Sequence, residues 1–359
     1  MPYPIVLQDR NIITLWRVVV KVVKFSAALF IGLFMMLAVT SQVATAQPSA
    51  APASQGGTVP KPSPQLTYAW VVTNNVQVYA APGDTTPVRD LGAGFLYVSL
   101  PDARPIVVGE QTWYQINKGE YINAADIRIV KPSAFQGITF TGTPDKPFGW
   151  MVYSARTSPA AGEAAAKDGQ LLQRYDPIAV IEEVKVGDLT WYRIGENQWV
   201  DQKKVALVFP AARPEGVGPT DKWIDINKFE QTLAAYEGDK LVYATLVSSG
   251  LPQWDTDSGL FRVFMKVRQA KMSGREGKPD YYFLEDVPYA MYFNKDMALH
   301  GAYWHDKFGF KHSHGCVNLP PSPALWLWNW TTPDVTDKSF VMVPDRKNNT
   351  AGTWVWVHD

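Results

Sequence analysis

The chain has a single cysteine, Cys316, among its 359 residues, so it cannot form an internal disulfide. A small disulfide-stapled scaffold is therefore excluded, and the fold must be stabilised by its own apolar core. Neither sign of charge is in excess, since 34 basic residues balance 34 acidic residues, and this argues against nucleic acid as a partner. Cys-x-x-Cys and His-Glu-x-x-His patterns are both missing, so no metal and no cofactor are expected.

The N-terminal region has the pattern of an export signal. Basic residues precede an apolar run from Phe25 to Val39, and Ala44–Ala46 matches a small-residue cleavage site. We therefore predict a signal peptide over residues 1–46, with an uncleaved N-terminal membrane anchor as the alternative. Membrane contact is expected only in that second case. Residues 47–66 are rich in Pro, Ala and Ser, which is typical of a linker.

An internal repeat follows, in which the second copy lies 78 to 80 residues after the first. The matching segments are Ala69–Trp70 with Gly149–Trp150, Thr112–Ile116 with Thr190–Ile194, and Glu120–Ile122 with Gln198–Val200. Each copy alternates apolar and polar residues in short runs that Pro and Gly interrupt, which is typical of small antiparallel β domains. We predict two β-barrel modules, at residues 67–132 and 147–210. Their repeated aromatic residues are expected to form the cores rather than a ligand groove.

The rest of the chain is also predicted to be mainly β. Residues 211–220 form a second linker, residues 221–345 a third domain, and residues 346–359 a C-terminal tail. Short β-prone runs begin at Trp223 in the third domain and continue to Lys266. Elsewhere, Glu163–Lys167 favours a short helix within the second module.

Reactive side chains are concentrated in residues 300–319, which hold four of the five histidines and the cysteine. A thiol attacks a carbonyl carbon as the thiolate, so it needs a nearby base to remove its proton. One imidazole and a few backbone N–H groups for the developing oxyanion complete the minimum set for acyl transfer. Two other interpretations stay open, namely an inert buried thiol and a zinc site formed by the histidines.

The local pattern predicts how this stretch folds. Met297–Leu299 ends a buried strand, which places His300 at the mouth of that strand. Gly315 allows the backbone to pass close to a reacting carbonyl. Ser322–Pro323 is a good N-cap and first-turn pair for a short helix directly after Cys316.

The segment HGAYWHDKFGFKHSHGCVNL, residues 300–319, resembles the active-site signature of the L,D-transpeptidases, cysteine enzymes that cross-link bacterial peptidoglycan. The resemblance covers residues 221–345, about a third of the chain, and implies a two-sheet β domain with a short helix after the cysteine. One departure occurs at Thr256–Gly259, where the family usually has a proline after the threonine. The polar stretch Gln269–Asp286 resembles the family's flap over the active site, with an ordinary surface loop as the alternative.

By this resemblance, Cys316 is the nucleophile and His300 is the general base and acid. The carbonyl of Gly301 would orient the far ring nitrogen of His300, in the place that a carboxylate takes in other triads. The backbone N–H groups of Gly315 and of the cysteine would hold the oxyanion.

Further roles are implied for residues around this pair. Ser313 and His314 would brace the loop, and His314 could share the role of base. Asn318, Tyr282 and Tyr292 would contact the substrate.

The resemblance also implies a substrate and a location. The enzyme would join peptidoglycan stem peptides by 3→3 cross-links in the cell wall or periplasm. An L,D-carboxypeptidase with the same residues and a non-catalytic wall-binding protein are the alternatives. The two modules resemble bacterial Src-homology-3-like modules, which often accompany wall enzymes. No oligomeric state follows from the sequence.

Overall fold

The computed structural model describes residues 66–334, 340–342 and 352–359. The predicted export signal and nearly all of the first predicted linker lie outside these ranges. Strands dominate the described residues, in agreement with the mainly β prediction. No helix in the described ranges is long and apolar enough to span a membrane.

Module 1, which we define as residues 67–132, contains eight strands. They are β1 (Thr67–Val71), β2 (Gln77–Tyr79), β3 (Pro87–Asp90), β4 (Phe95–Leu100), β5 (Ile106–Val108), β6 (Gln111–Asn117), β7 (Glu120–Asn123) and β8 (Ile127–Ile129). Five of them form a sheet in the order β3-β2-β7-β6-β5, whereas β4, β1 and β8 are part of a larger sheet. The core between the strands is aliphatic and includes Val78, Val98 and Ile122.

Residues between the modules supply β9 (Ile138–Thr139), and module 2, defined as residues 147–210, contains the next eight strands. These are β10 (Phe148–Met151), β11 (Ala155–Arg156), β12 (Leu171–Leu172), β13 (Pro177–Ala179), β14 (Glu182–Val186), β15 (Leu189–Gly195), β16 (Gln198–Asp201) and β17 (Val205–Val208).

The sequence repeat is visible in the hairpins of the two modules. The β6–β7 and β15–β16 hairpins both contain a register shift at equivalent positions. Each hairpin ends in a short 3₁₀ turn, Ala124–Asp126 or Gln202–Lys204. Asn123 and Asp201 cap these turns through side-chain oxygens that accept backbone N–H groups. Of the repeated aromatic side chains, Trp113 and Trp191 are buried, whereas Trp70 is exposed and Trp199 is half-buried, so the prediction that these residues form the cores is met only in part.

The third domain contains ten strands and the one α-helix of the described residues. The elements are β18 (Lys222–Asn227), β19 (Thr232–Glu237), β20 (Lys240–Leu246), β21 (Gly259–Arg262), β22 (Met265–Gly274), β23 (Tyr282–Asn294), β24 (Met297–Gly301), β25 (Val317–Leu319), α1 (Pro321–Trp330), β26 (Phe340–Met342) and β27 (Trp354–His358). A 3₁₀ turn, Pro252–Trp254, lies between β20 and β21.

Two sheets enclose the main core, which confirms the predicted two-sheet domain. One sheet has the order β21-β27-β18-β19-β20-β9, and the other contains β25-β24-β23 with β22 and β26 beyond β23. Side chains from both sheets and from α1 form one buried cluster, including Ile224, Leu299, Val317 and Leu327. This burial of apolar side chains fixes β24, which carries His300, and β25, which begins directly after Cys316.

The predicted boundary of this domain at residue 345 is too early. Trp354–His358, assigned to a tail, forms β27, which pairs in parallel with β18 and antiparallel with β21. Val355 and Val357 are buried in the core, so this strand is an integral part of the sheet. The physical reason is the run of four apolar residues, Trp354–Val357, in which the two valines point into the core and the two tryptophans are partly exposed.

Three local predictions are also corrected. The helix begins at Pro321 rather than after Ser322, because a proline at the first helical position fits the helix and lacks only an N–H that would be unpaired. Most of Gln269–Asp286 is strand, and we call residues 265–294, the hairpin of β22 and β23, the flap hairpin. Glu163–Lys167 is not helical, since five residues are too few to offset helix nucleation.

Candidate active site

His300 lies on β24, and Cys316 directly precedes β25, the strand that pairs with β24. β24 and β25 are parallel, with His300 opposite Asn318 and Leu299 opposite Val317. The Cys316 thiol approaches the chain just before His300, where the carbonyl of Asp296 and the backbone N–H of Ala298 face the sulfur. The chain enters this position through Gly315, whose φ of +118° is unfavourable for any residue with a Cβ.

The His300 ring is buried and held in one orientation. Its Nδ1 lies 3.3 Å from the carbonyl oxygen of Gly301. Because a carbonyl only accepts hydrogen bonds, Nδ1 carries the proton and Nε2 keeps its lone pair. Burial lowers the pKa of His300 to about 4, against the smaller effect of the Gly301 carbonyl. The ring is therefore neutral near pH 7 and able to accept a proton.

The Cys316 thiol is partly exposed and is protonated at rest. Its sulfur lies 3.8 Å from the carbonyl oxygen of Asp296, to which the thiol donates. Burial raises the pKa of the thiol to about 11, and the backbone N–H of Ala298 opposes this increase. The resting site thus pairs a neutral thiol with a neutral imidazole, and the thiol proton is directed to Asp296 rather than to His300.

A hydroxyl on each side fixes the loop before the cysteine. The Ser313 hydroxyl donates to the carbonyl of Cys316 and accepts the N–H of Gly315 at 3.1 Å. From the opposite side, the buried Thr256 hydroxyl donates to the Gly315 carbonyl at 2.9 Å and accepts the Gly250 N–H at 3.0 Å. Since Ser313 engages the Gly315 N–H, this geometry counts against the oxyanion role that the resemblance implies for that group.

His314 lies between two aromatic rings rather than against the thiol. Its ring is 3.9 Å from the Trp254 ring and 5.0 Å from the Tyr282 ring, measured between centroids. Its Nε2 is buried and has no hydrogen-bond partner among the described residues. Burial lowers the pKa of His314, so the ring is neutral near pH 7. The position suits a wall of the site that joins the cysteine loop to the flap hairpin.

The other two predicted substrate contacts, Tyr292 and Asn318, lie beside Cys316 and His300 respectively. Tyr292 is half-buried, and its pKa is raised by burial and by the neighbouring Cys316. Asn318 is buried, with the nitrogen of its carboxamide 2.9 Å from Nε2 of His305. The carboxamide oxygen of Asn318 has no hydrogen-bond partner in the part of the chain that the structure describes.

Some residues of the site were missed by the sequence analysis. From the sequence, Thr256 was noted only as part of a turn that lacks the usual proline, and His305 only as one of the histidines of a possible zinc site. A signal for Thr256 was available, because the turn keeps its threonine although it lacks the proline. Within the described ranges, no group of three or more His, Cys, Asp or Glu side chains could hold a metal ion.

Comparisons with known proteins were made for the whole chain. A search of curated proteins gave no match. Among solved structures, the chain is similar to the catalytic domain of an E. faecium L,D-transpeptidase, with 26% identity over 39% of this chain and 98% of that one and a TM-score of 0.30. It is also similar to an L,D-transpeptidase from Mycobacterium smegmatis, with 16% identity over 64% and 95% of the two chains and a TM-score of 0.32. L,D-transpeptidase 3 from Mycobacterium tuberculosis has 17% identity over 52% and 76%, also with a TM-score of 0.32. TM-scores at this level carry no inference.

A family model gives the more specific result. The match ends at residue 357 and so includes most of β27, beyond the boundary predicted at residue 345. It contains both sheets' central strands and the whole segment from His300 to Leu319. Residues 221–357 match the model of the YkuD family, the L,D-transpeptidase catalytic domain.

Proposed function

We propose that the protein is a peptidoglycan L,D-transpeptidase that forms 3→3 cross-links through a thioester on Cys316. The observation that carries the proposal is the parallel pairing of β24, which carries His300, with β25, which begins directly after Cys316, inside the segment that matches the family model. The contact of His300 Nδ1 with Gly301 supports it, because it leaves Nε2 free to take the thiol proton.

The first half-reaction forms the thioester. The sulfur of Cys316 attacks the carbonyl carbon of the third, diamino-acid residue of a tetrapeptide donor stem, and the thiol proton passes to Nε2 of His300. Collapse of the tetrahedral intermediate breaks the peptide C–N bond, and the proton on Nε2 goes to the amine of the departing D-alanine. Because burial raises the thiol pKa and lowers the imidazole pKa, an ion pair is unfavourable at rest, and proton transfer accompanies the attack.

The second half-reaction decides the product. The side-chain amine of a neighbouring stem attacks the thioester carbon, gives a proton to His300, and displaces the sulfur, which regains its proton. The result is a 3→3 cross-link and a free thiol. Water in place of the amine would give L,D-carboxypeptidase activity from the same residues, and the two outcomes are separated by the experiment below.

The proposed setting is outside the cytoplasm. The N-terminal pattern of basic residues, apolar run and small-residue site supports export, and the proposed substrate is found in the cell wall. We also propose that the two modules are Src-homology-3-like domains, which often accompany wall enzymes.

Mass spectrometry of the intact protein with a tetrapeptide stem tests the proposal. We expect an adduct equal to the stem without its terminal D-alanine, and release of free D-alanine. Addition of an acceptor stem should convert the adduct into a cross-linked dimer, whereas a carboxypeptidase would give only the tripeptide. Cys316→Ala should abolish the adduct while the protein stays folded.

A second histidine gives the matched control. His358 pairs with Asp225 at 2.6 Å on strands of the other sheet, so His358→Gln should retain the adduct, and His300→Gln should lose it. Retained transfer in Cys316→Ala would overturn the assignment. An unmodified wild-type protein with an unreactive thiol would favour the wall-binding alternative.

A further inference from the structure

His305 has a defined tautomer. The backbone N–H of Lys307 donates to Nδ1 of His305 at 3.1 Å, so Nδ1 must carry a lone pair. A neutral imidazole with an accepting Nδ1 has its proton on Nε2. Burial also keeps the pKa of His305 well below its ordinary value, which agrees with a neutral ring.

The partner of that proton is the side chain of Asn318. Nε2 of His305 is 2.9 Å from the carboxamide atom assigned as nitrogen. Two N–H donors cannot bond to each other, and the oxygen and nitrogen of a carboxamide have nearly the same shape, so the hydrogen-bond network decides between them. The consistent arrangement has the oxygen of Asn318 accepting the Nε2 proton of His305.

This arrangement changes what Asn318 offers to its surroundings. The other carboxamide position is buried and has no hydrogen-bond partner among the described residues. In the orientation set by His305, that position is the NH₂ group. A buried donor without a partner is unfavourable, so a ligand that accepts its hydrogen bond would remove that penalty.

We propose that His305 is a positioning residue that holds the Asn318 carboxamide with its NH₂ group toward the active site, as a donor to a carbonyl or carboxylate oxygen of the acyl donor. The identity of that ligand rests on the proposed function, whereas the orientation rests on the hydrogen bonds alone. Asn318 is opposite His300 on the neighbouring parallel strand, so its side chain lies on the same face of the sheet as the His300 ring.

The loop around His305 is held from several directions, which makes the imidazole a rigid support. Its ring packs against Phe308 and His312, with centroids 4.7 Å and 4.4 Å away. The Ser248 hydroxyl donates to the Lys307 carbonyl at 3.1 Å. The next residue, Asp306, accepts a hydrogen bond from the Tyr175 hydroxyl at 2.8 Å.

The first test does not depend on activity. ¹⁵N NMR of the full chain distinguishes a protonated Nε2 from a protonated Nδ1 by the shifts of the two ring nitrogens. We expect His305 to be neutral with its proton on Nε2. In Cys316→Ser, a tetrapeptide stem should shift the side-chain NH₂ resonances of Asn318. A proton on Nδ1 of His305 would overturn the proposal.

The second test uses a pair of substitutions. His305→Gln keeps an N–H near the position of Nε2, whereas His305→Phe keeps a ring and removes the donor. We expect His305→Phe to raise the KM for the donor stem about tenfold with kcat within about threefold, and His305→Gln to stay close to wild type. Alkylation of Cys316 by iodoacetamide should be equal in all three proteins, because the thiol and His300 are unchanged.

The outcomes separate this inference from the proposed function. Equal loss in His305→Phe and His305→Gln, or faster alkylation in both, would mean that His305 only supports the fold, and the inference would fail. If the wild-type protein forms no adduct with the stem, the proposed function fails, while the tautomer measured by NMR still decides the orientation of Asn318.

Discussion

The two modules share a sequence repeat but contact the catalytic domain in different ways. Module 1 adds β4 in parallel to β23, so that its sheet is continuous with the sheet that carries the flap hairpin. Module 2 shares one buried cluster with the catalytic domain, in which Trp150 and Val208 pack with Trp223 and Tyr236. Module 1 thus combines a strand edge with a buried cluster in which Tyr68 and Tyr97 pack with Leu284 and Tyr303, whereas module 2 is attached by an apolar face.

Equivalent residues of the repeat show this difference most clearly. Trp70 of module 1 is 42% exposed, whereas Trp150 of module 2 is 2% exposed, although the two occupy the same position in β1 and β10. At the module 1 junction, tyrosines combine apolar packing with polar contacts. Tyr68 stacks on Tyr303 with centroids 3.5 Å apart, and its hydroxyl donates to the Asp286 carbonyl at 3.2 Å.

Both modules hold the same short part of the catalytic stretch. Module 1 contacts Tyr303, and module 2 contacts Asp306 through Tyr175. Gly309 also approaches module 2 so closely that a Cβ there would lie 2.5 Å from a methyl group of Val152. We therefore expect the contact of module 2 to stabilise the whole domain, and the strand pairing of module 1 to stabilise chiefly the flap hairpin beside the site.

The largest expected effect comes from breaking the apolar attachment. Trp150→Ala should lower the free energy of unfolding by about 3–5 kcal/mol, because it removes a buried ring and leaves a cavity. Trp70→Ala is the matched control and should cost about 1 kcal/mol or less, since that ring is largely exposed. Urea unfolding followed by the reactivity of Cys316, the sole thiol, measures the effect on the catalytic domain.

This measurement also tests whether module 2 and the catalytic domain unfold together. A lower midpoint for thiol exposure in Trp150→Ala indicates one cooperative unit. An unchanged midpoint, with loss of module 2 signals alone, would contradict the shared core. Equal effects of the two tryptophan substitutions would remove the distinction between the modules.

Much of the fold could be predicted because it is encoded in local patterns. Alternating runs gave the strands of the third domain, and Pro and Gly marked the turns between them. The place of Trp354–His358 could not be predicted, because its partner β18 lies far away in the chain. Glu163–Lys167 has helical propensity, yet the N–H of Ala166 bonds to the Thr157 carbonyl at 3.1 Å, so tertiary contacts override the local preference.

The candidate site likewise contains residues that a local pattern predicts and residues that only the folded chain brings together. Cys316 and His300 were found because they lie within one short segment and have few chemical interpretations together. Thr256 reaches the cysteine loop from a turn some sixty residues earlier, and its bond to Gly315 depends on the folded path of both. The contact of His305 with Asn318 is likewise set by the loop, since spacing alone does not give the direction of either side chain.

Burial shifts pKa values in opposite directions in the stretch that holds His300 and His312 and at the module 1 junction, which holds Glu285. Burial lowers the pKa of His300 and of His312 to about 4, so the unfolded state binds more protons between about pH 6.5 and 4. Stability is present above this window and is lost as the pH falls through it, on the order of 2 kcal/mol per histidine at about pH 5. Burial raises the pKa of Glu285, so the folded protein holds the carboxyl proton more tightly than the unfolded chain does. The free energy of unfolding therefore falls as the pH rises above the ordinary pKa of a glutamate.

Hydrogen exchange, corrected for the intrinsic pH effect, measures the two regions separately. Between about pH 7 and 5, protection should fall in residues 302–312 and should not fall in residues 282–286, where Glu285 accepts the N–H of Ser99 at 3.1 Å. His312→Gln removes one titrating ring and should flatten the pH dependence of global stability. An unchanged slope would mean that the buried histidines do not control the acid limit.

The smallest expected effect comes from breaking the edge attachment. The Ser99 hydroxyl donates to a carboxylate oxygen of Asp286 at 2.5 Å, which ties module 1 to the flap hairpin. Ser99→Ala should lower the free energy of local opening by about 1–2 kcal/mol where β4 pairs with β23. Global stability should change little, because the apolar core is untouched. Amide exchange in residues 282–284 should rise about tenfold, while the midpoint of Cys316 exposure stays near wild type.

Thr112→Ala provides the control for that experiment, since Thr112 lies on β6 opposite Val107, in the separate sheet of module 1. It should leave exchange in the flap hairpin unchanged, with a stability effect within about 0.5 kcal/mol. If Ser99→Ala instead lowered the midpoint of Cys316 exposure as strongly as Trp150→Ala, the edge contact would be as important to the domain as the shared core. The two copies of the repeat would then serve the catalytic domain in the same way despite their different geometry.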